Sequence, residues 1–341
     1  MVEAGPEVWG QADVVMAVQG SALVESRSEL EHLPSGSVLV GLLEPHGNDA
    51  LKTRLQQRNL QALALELLPR ISRAQSMDVL SSQANIAGYK AVLLASSALD
   101  RYVPMLMTAA GTIQPARALI LGAGVAGLQA LATARRLGAV AYVSDVRAAA
   151  KEQVESLGGR FIDPPELEQK PGETGGYAQQ ATDAFLAEQR RQLTEQLALA
   201  DLVICTAQVP GKPAPRLISD AMLAGMKPGS VVVDLAVAQG GNCEGTVPGE
   251  TVIRHGVQLI GADGLPSSVA NHASALYARN LLALLQHLLA AGQGADTSAP
   301  SLGIDPEDPI LAGCLISHGG RCLRPDLLPA SEQPSPSLTP V

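Results

Sequence analysis

Short apolar runs alternate with helical patterns over the first third of the chain. The strand-like runs are Val14–Val18, Ser37–Gly41 and Leu60–Ala64. Strands that alternate with helices predict a parallel sheet whose faces are covered by helices. The pattern therefore predicts a first α/β domain over residues 1–110.

A long helix is predicted near the end of this domain. Apolar side chains at three- and four-residue steps would form one buried stripe, made of Met77, Leu80, Ala84, Ala87, Ala91 and Leu94. Ser72 and Gln75 fit the capping box S-x-x-Q, which would place the start of this helix at Ser72.

A second α/β pattern runs from Pro115 to about Gly261. Its strand-like segments are Ala118–Leu121, Val140–Ser144, Leu202–Cys205, Ser230–Val233 and Val257–Ile260. A helix from His272 to Leu289 and a hairpin over Ile310–Leu323, with Ser317–Gly320 as its turn, would lead back to the first domain.

The predicted fold is α/β, with two Rossmann-like domains whose parallel sheets are flanked by helices. Residues 1–110, completed by residues 265–325, form the first domain, and residues 111–264 form the second. The segment from Gly292 to Pro300 is predicted to be a linker or loop. Residues 326–341 are rich in Pro, Ser and Thr and are predicted to be disordered.

A glycine motif at the start of the second domain carries the clearest functional signal. Gly122-Ala-Gly124-Val125-Ala126-Gly127 follows a strand and opens a helical pattern. In a dinucleotide-binding unit the first glycine makes a tight turn, the second admits a pyrophosphate, and the third lets helix and strand pack closely. The N–H groups and dipole of the helix N-terminus then favour the phosphates. Glycine-rich turns that bind nothing also exist, so the motif alone leaves both interpretations open.

An acidic residue, Asp145, follows the next predicted strand, about 20 residues beyond the glycine turn. A carboxylate there accepts hydrogen bonds from an adenosine ribose and repels a 2′-phosphate, which favours NAD over NADP. Val146 and Arg147 complete this end of the candidate site. Arg147 also leaves NADP open, because arginine can accommodate the extra phosphate. Asp145 could alternatively be an ordinary turn residue at a strand end.

Composition narrows the function classes. The chain has 341 residues, a net charge of −9 and a pI near 5.2, which argues against nucleic acid as a partner. No apolar stretch is a good transmembrane candidate, and the N-terminus lacks the basic and apolar regions of a signal peptide, so we expect a cytosolic chain. The four cysteines and six histidines show no metal-ligand spacing, and no metal site is predicted.

Several segments closely resemble the NAD(H)-binding α subunit of proton-translocating NAD(P) transhydrogenase. The resemblance covers most of residues 10–325 and is carried by Pro69–Asp78, Leu80–Tyr89, Gly122–Leu128, Glu152–Gly158, Pro210–Pro215, Met226–Ser230 and Asp234–Pro248. It implies a peripheral, cytoplasmic-face NAD(H)-binding component that forms a homodimer. It further implies docking onto membrane-embedded subunits and onto a subunit that holds NADP(H), with hydride passing between the two nicotinamides.

The resemblance also implies roles for individual residues. An Arg-Gln-Asp loop shapes the nicotinamide pocket in the family, and the matching residues here are Arg70, Gln75 and Asp78, with Ser81 beside them. A carboxamide such as Gln75 can hydrogen-bond both nucleotides and so help to hold the two rings face to face. The capping box at Ser72 and Gln75 is the competing interpretation, and the two roles could coexist.

Two further segments complete the candidate site. Gly172–Ala178 matches a family loop that closes over NAD(H), in which Gly176 would supply hinge freedom and Tyr177 a ring for the nucleotide. An ordinary surface loop is the alternative there. Thr206, Ala207 and Gln208 follow a strand end and would line the nicotinamide side, because ligands of α/β sheets bind at the carboxyl ends of strands.

Alanine dehydrogenase is the main rival, because it shares this two-domain plan. Where the alanine dehydrogenases have an aspartate before Gln-Gly-Gly, this chain has Ala238. Oxidative deamination needs proton transfers by positioned acids and bases, whereas hydride exchange between nicotinamides moves no proton at the reacting carbons. His46 does not match the catalytic histidine pattern of those enzymes and is interpreted as a loop residue. A non-catalytic NAD-binding module is the third hypothesis, which an intact Arg70, Gln75, Asp78 and Tyr177 disfavour.

The first domain departs from the family at its start. Family members begin with a longer segment that carries a basic opening motif, so this chain is expected to begin after it. A misassigned start, a truncation or a piece supplied elsewhere would each account for this. A truncation would remove strands from the first sheet and expose an edge.

Overall fold

The computed structural model describes residues 6–20, 28–46, 48–165, 183–209, 211–292 and 301–327. The chain divides into two compact units, residues 1–82 with 274–341 and residues 83–273. The predicted domain boundaries, after residues 110 and 264, differ from this division. Residues 83–110 and 265–273 belong to the second unit, because most of the long helix packs on the second sheet.

The first unit is built on a five-stranded sheet in the order β1-β2-β3-β13-β14. These strands are β1 (Val14–Gln19), β2 (Val38–Leu42), β3 (Gln61–Ala64), β13 (Leu315–His318) and β14 (Arg321–Cys322). The first three are parallel, as predicted, and the last two run antiparallel. β1 forms one edge of the described sheet, with Met16 and Val18 exposed.

Helices cover both faces of this sheet. They are α1 (Pro6–Trp9), α2 (Asp49–Gln57), α8 (Ala270–Gly292) and α9 (Leu311–Cys314). The Asn48 side chain caps α2 by accepting from the Leu51 amide at 3.1 Å. On one face Leu51 and Leu55 of α2 pack on the sheet, and on the other Leu284 and Leu288 of α8 do so.

The long helix α3 spans Val79–Ala98. The capping box at Ser72 and Gln75 is wrong as the start of this helix, because Ser72–Met77 forms a separate 3₁₀ helix without a side-chain cap. Asp78 accepts from the Ser81 amide at 2.9 Å and so caps α3 instead. The predicted stripe is wrong at Leu80, which is exposed. Val79, Ile86, Val92 and other apolar side chains form the buried face.

The second unit is built on a seven-stranded sheet in the order β11-β12-β10-β9-β6-β7-β8. Its strands are β6 (Arg117–Leu121), β7 (Val140–Ser144), β8 (Arg160–Ile162), β9 (Leu202–Cys205), β10 (Val231–Asp234), β11 (Thr251–Arg254) and β12 (Val257–Gly261). All neighbours are parallel except β11 and β12. The five strands predicted from the sequence are all present, so the α/β fold class with parallel sheets is confirmed.

Two apolar layers sandwich this sheet. α3 and the helices α4 (Val125–Arg136) and α5 (Lys151–Ser156) pack on one face, and α6 (Asp183–Leu199) and α7 (Asp220–Ala224) pack on the other. The strands therefore contain almost continuous apolar sequence, as expected when both faces of a parallel sheet are buried. A separate hairpin of β4 (Leu106–Thr108) and β5 (Gly111–Ile113) lies on the surface of this unit.

The C-terminal segment differs from its prediction at two points. The hairpin turn is Gly319–Gly320, and α9 occupies the start of the range predicted as strand. Pro325–Leu327 is a 3₁₀ helix and not disordered, because Leu327 is buried in the core and its carbonyl accepts from the buried Lys52. Residues 293–300 and 328–341 lie outside the described residues. Among the described residues, no helix is long and apolar enough to cross a membrane.

Candidate dinucleotide-binding site

The site lies where the strand order of the second sheet reverses. From β6 the chain moves to β7 and β8 on one side, and then to β9 on the other side of β6. Ligands of doubly wound sheets bind in the crevice that this reversal opens at the carboxyl ends of the strands. The residues that follow β6 and β9 at this crevice are Gly122 and Thr206.

The three motif glycines have three different surroundings. Gly122 has φ of +105°, and a Cβ on it would stand 2.6 Å from the Thr206 hydroxyl oxygen. A Cβ on Gly127 would overlap the Gly122 carbonyl oxygen, whereas nothing lies within 4 Å of a Cβ built on Gly124. The first and third glycines are therefore needed by the fold, and the second faces open space that a ligand can enter.

The turn leads directly into the N-terminus of α4. Gly124 is the N-cap residue and makes no side-chain cap, and the first helical hydrogen bond runs from the Leu128 amide to the Gly124 carbonyl at 2.8 Å. The amides of Val125, Ala126 and Gly127 therefore have no acceptor within the helix. Their donors and the helix dipole make this turn suited to an anionic group such as a pyrophosphate.

Asp145 connects the end of β7 to the glycine turn. Its Oδ2 atom accepts from the Ala123 amide at 2.7 Å, and its side chain is only 7% exposed. Burial alone would raise the pKa of Asp145, but hydrogen bonds from Arg147 and Ala123 outweigh it and lower the pKa. The carboxylate is thus held ionised beside the turn, where Arg147 pairs with it.

Thr206, Ala207 and Gln208 lie at the opposite wall of the crevice. The Thr206 hydroxyl donates to the carbonyls of Leu121 and Gly122 at 3.0 and 3.1 Å, so this side chain supports the turn. Gln208 is exposed and donates to the Leu235 carbonyl at 2.8 Å. The carboxyl ends of β6 and β9 thus bring the glycine turn and this segment together, as predicted.

A buried asparagine that no sequence pattern singled out holds this wall. Asn242 is fully buried, and its side-chain amide accepts from the Ala207 N–H at 3.1 Å and donates to the Ala207 carbonyl at 2.8 Å. The same amide donates to the Pro215 carbonyl. Because its partners come from distant regions of the chain, Asn242 could be recognised only in the fold.

Gly88 is the second residue that the sequence pattern did not single out. It lies in α3, and a Cβ on it would overlap the Ala126 carbonyl oxygen in the first turn of α4. Asn85, one turn earlier, donates to the Gln129 side chain at 3.1 Å. α3 therefore supports the phosphate-binding turn from behind.

The Arg-Gln-Asp loop belongs to the first unit. Arg70 and Gln75 are exposed, and Ser72–Met77 forms the 3₁₀ helix described above. The Ser81 hydroxyl donates to Asp78 Oδ2 at 2.6 Å, so these two predicted residues do lie together. Asn280 of α8 donates to the Ser76 carbonyl at 2.8 Å and anchors the loop. Gly176 and Tyr177 lie outside the described residues.

The described site fits a dinucleotide. The open Gly124 position and the three helix amides suit a pyrophosphate, and the Asp145 carboxylate suits ribose hydroxyls. Val125 and Val146 are 40% and 67% exposed beside these groups and offer apolar surface for an adenine ring. Position 238 is exposed in the loop after β10, where Asp234 is fully buried and accepts from the amides of Ala236 and Cys243.

Comparison with known proteins adds independent findings. The family models "Alanine dehydrogenase/PNT, N-terminal domain" and "Alanine dehydrogenase/PNT, C-terminal domain" match residues 1–87 and 91–325. An NAD(P) transhydrogenase subunit alpha chain of Rhodospirillum rubrum is 47% identical over 319 residues, which cover 93% of this chain and 82% of that protein. An alanine dehydrogenase of Mycobacterium tuberculosis is 28% identical over 251 residues, covering 73% and 60%.

A solved structure supports the same grouping. The crystal structure of transhydrogenase from Sinorhizobium meliloti superposes with a TM-score of 0.80 at 43% identity, over 93% of this chain and 83% of that chain.

Proposed function

This chain belongs to the alanine dehydrogenase/PNT family, and we propose that it is the NAD(H)-binding α component of an NAD(P) transhydrogenase. In this proposal it transfers hydride between its own NAD(H) and NADP(H) held by a partner subunit, and the transfer is coupled to proton translocation across a membrane. The observation that carries the proposal is the 47% identity to a transhydrogenase α subunit across a chain with an open dinucleotide turn.

The second unit supplies the groups that would hold the dinucleotide. The amides at the start of α4 would bind the pyrophosphate beside Gly124, and Asp145 would accept from the adenosine ribose. Thr206, Ala207 and Gln208 would line the nicotinamide side. NAD(H), when bound, supplies or accepts the hydride at its nicotinamide ring.

The Arg-Gln-Asp loop would position that ring. Arg70 and Gln75 are exposed and can donate to a nucleotide, while the hydrogen bond between Ser81 and Asp78 fixes the end of the loop at the start of α3. Orientation is the main demand of this reaction, because no proton moves at the reacting carbons. Gly176 and Tyr177 are proposed to belong to a loop that closes over the nucleotide.

The same proposal includes partners and a location. The chain would bind an NADP(H)-holding subunit and membrane-embedded subunits, and so lie at the cytoplasmic face of the membrane. A homodimer is favoured by the hairpin β4–β5, on which Met105, Met107 and Ile113 are 59%, 73% and 43% exposed. Residues 102–116 carry no charged side chain, so two copies of this surface can meet without electrostatic repulsion.

Two alternatives are less well supported. Alanine dehydrogenase activity is disfavoured by Ala238, an exposed alanine at the family position that carries an acid, and by the lower identity of 28% to such an enzyme. A non-catalytic NAD-binding module is disfavoured by the presence of Arg70, Gln75 and Asp78. Neither alternative explains why the whole nicotinamide-positioning motif is retained.

Reconstitution tests the proposal. The chain is mixed with the NADP(H)-binding component of a related transhydrogenase, and reduction of a nicotinamide analogue by NADH or NADPH is followed. We expect turnover that requires both components, and a Gln75→Asn variant that loses rate more than NADH affinity. A folded chain that binds NADH but gives no turnover would refute the catalytic role. Pyruvate formation by the isolated chain with alanine and NAD would favour the dehydrogenase instead.

A further inference from the structure

The carboxylate of Asp145 has no acceptor position left for a ribose. Its Oδ1 atom accepts from the Arg147 amide at 2.8 Å and from Arg147 Nε at 3.0 Å. Its Oδ2 atom accepts from the Ala123 amide at 2.7 Å and from the Arg147 terminal nitrogen Nη2 at 3.0 Å. A carboxylate offers about four lone-pair positions. All four are therefore in use before any nucleotide arrives.

The four donors are not equally removable. The amides of Ala123 and Arg147 belong to the turns that place Asp145, so they stay when a nucleotide binds. The other two donors belong to the Arg147 guanidinium, whose side chain is 62% exposed and can move into solvent. Its remaining contact in this region is a long one, 3.4 Å to the Ala123 carbonyl. A ribose can therefore reach Asp145 by replacing these two bonds.

We propose that Arg147 is an internal competitor of the nucleotide, which occupies the ribose-binding positions of Asp145 until NAD(H) displaces it. This inference rests on the proposed NAD(H) site. Ribose binding must break a two-bond ion pair, so some of the interaction energy with Asp145 is lost to this exchange. Arg147 accordingly lowers the affinity for NADH, although it lies in the cofactor site.

The same exchange bears on the choice between NADH and NADPH. While Arg147 is paired, it neutralises the carboxylate that would repel a 2′-phosphate, and once displaced it remains near enough to pair with that phosphate. Arg147 thus weakens the discrimination that Asp145 provides. Its removal leaves an unpaired carboxylate, which favours ribose hydroxyls and repels the phosphate more strongly.

Calorimetric titration with NADH and with NADPH tests this inference. Relative to wild type, Arg147→Ala is expected to bind NADH about two- to fivefold more tightly, the range that an exposed ion pair contributes. The same variant should bind NADPH more weakly, so that the NADH preference widens. Arg147→Lys, which keeps the charge without the planar fork, should fall between the two. Arg136→Ala, at the far end of α4, is the control for loss of one positive charge and should leave both affinities unchanged.

A second readout separates competition from a structural role. Together with Asp145→Asn, the Arg147→Ala change should no longer tighten NADH binding, because the ion pair is already absent. In ¹⁵N spectra, the Nε–H signal of Arg147, assigned by its loss in Arg147→Lys, should shift to a solvent-like position when NADH is added to the wild type. An unchanged signal in saturated protein would overturn the displacement.

The outcomes distinguish this inference from the proposed function. If wild type binds NADH and Arg147→Ala binds it equally or more weakly, the competitor role is wrong and the NAD(H) site stands. If wild type binds neither nucleotide, both are wrong. Thermal melting of each variant checks that the fold is intact, and an unfolded Arg147→Ala is replaced by Arg147→Gln in the same comparison.

Discussion

Gly88 and Ala126 lie in two different helices at a separation that only glycine permits, because a Cβ on Gly88 would overlap the Ala126 carbonyl oxygen. Gly88 is buried in the middle of α3, and Ala126 lies in the first turn of α4. The amide of Ala126 is one of the three donors that the helix N-terminus offers to a pyrophosphate. A position without a candidate binding group thus controls the geometry of the candidate site.

The first prediction follows from this approach. Gly88→Ala should displace the first turn of α4, since backbone atoms cannot move aside as a flexible side chain can. We expect a lower melting temperature together with a loss of NADH affinity of about tenfold or more. Ala87→Ser, at the neighbouring helix position, is the control and should bind NADH as wild type does. Normal affinity in a folded Gly88→Ala protein would contradict the account.

The second prediction separates the ligand side of the turn from the packed side. A Cβ on Gly124 enters open space, and its φ of −78° suits any residue, so Gly124→Ala should melt within about 2 °C of wild type. The added methyl group would occupy the space for the pyrophosphate, and NADH affinity should fall about tenfold or more. Gly127→Ala is the matched comparison and should destabilise the fold itself. Unchanged NADH affinity in Gly124→Ala would place the phosphates elsewhere.

The third prediction concerns stability at the opposite end of the second sheet. Asp201 is buried, accepts from the Arg117 amide at 2.8 Å and pairs with Arg101 and Lys227. Burial alone would raise the pKa of Asp201, but these partners outweigh it and lower the pKa below its ordinary value of 3.8. A carboxyl with a lowered pKa stabilises the fold above its unfolded pKa and stops doing so as the pH falls through its folded pKa.

Asp201→Asn should therefore lower the free energy of unfolding at pH 7 by about 1–3 kcal/mol. The difference from wild type should shrink as the pH falls below 3.8, where the wild-type carboxyl becomes protonated. Urea unfolding at several pH values measures this. Asp163→Asn, which removes an exposed partner of Lys151, is the control and should change little at either pH. A difference that stays constant across the acid range would show that the charge of Asp201 is not responsible.

The fourth prediction tests the proposed homodimer. Met107 is 73% exposed on β4, and Met107→Asp should place a charge in each half of a self-complementary apolar contact. We expect wild type to sediment as a dimer and the variant to shift toward monomer by at least tenfold in its dissociation constant. Ile253→Asp introduces the same charge at another exposed apolar position, 70% exposed on β11, and should leave the dimer intact. A dimer unaffected by Met107→Asp would rule out this hairpin as the contact.

Local sequence patterns predicted the strands of both sheets and the glycine turn, because each depends on neighbours in sequence. They were less reliable where two local signals compete. The capping box at Ser72 matched the expected spacing, but Asp78 caps the long helix and Ser72–Met77 is a separate turn. Leu80 fits the apolar period and is nevertheless exposed.

The residues that support the site could not be predicted, because their roles depend on partners far away in sequence. Asn242 holds Ala207 across 35 positions, and Gly88 approaches a helix that begins 37 positions later. The saturation of Asp145 by Arg147 is also a three-dimensional fact. The sequence indicates an acid and a base two positions apart, and the fold determines that they share all the acceptor positions with Ala123.

Direct transfer of label tests the central claim, that this chain presents NAD(H) to a second nicotinamide. The chain, together with an NADP(H)-binding component, is given NADP⁺ and NADH that carries deuterium at both positions of the nicotinamide C4, and the NADPH formed is examined by mass spectrometry. Because hydride passes between the rings without a protonated intermediate, we predict that each NADPH contains one deuterium from NADH, and that none appears when the chain is omitted. NADPH that carries hydrogen from solvent, or that forms equally well without the chain, would contradict the account.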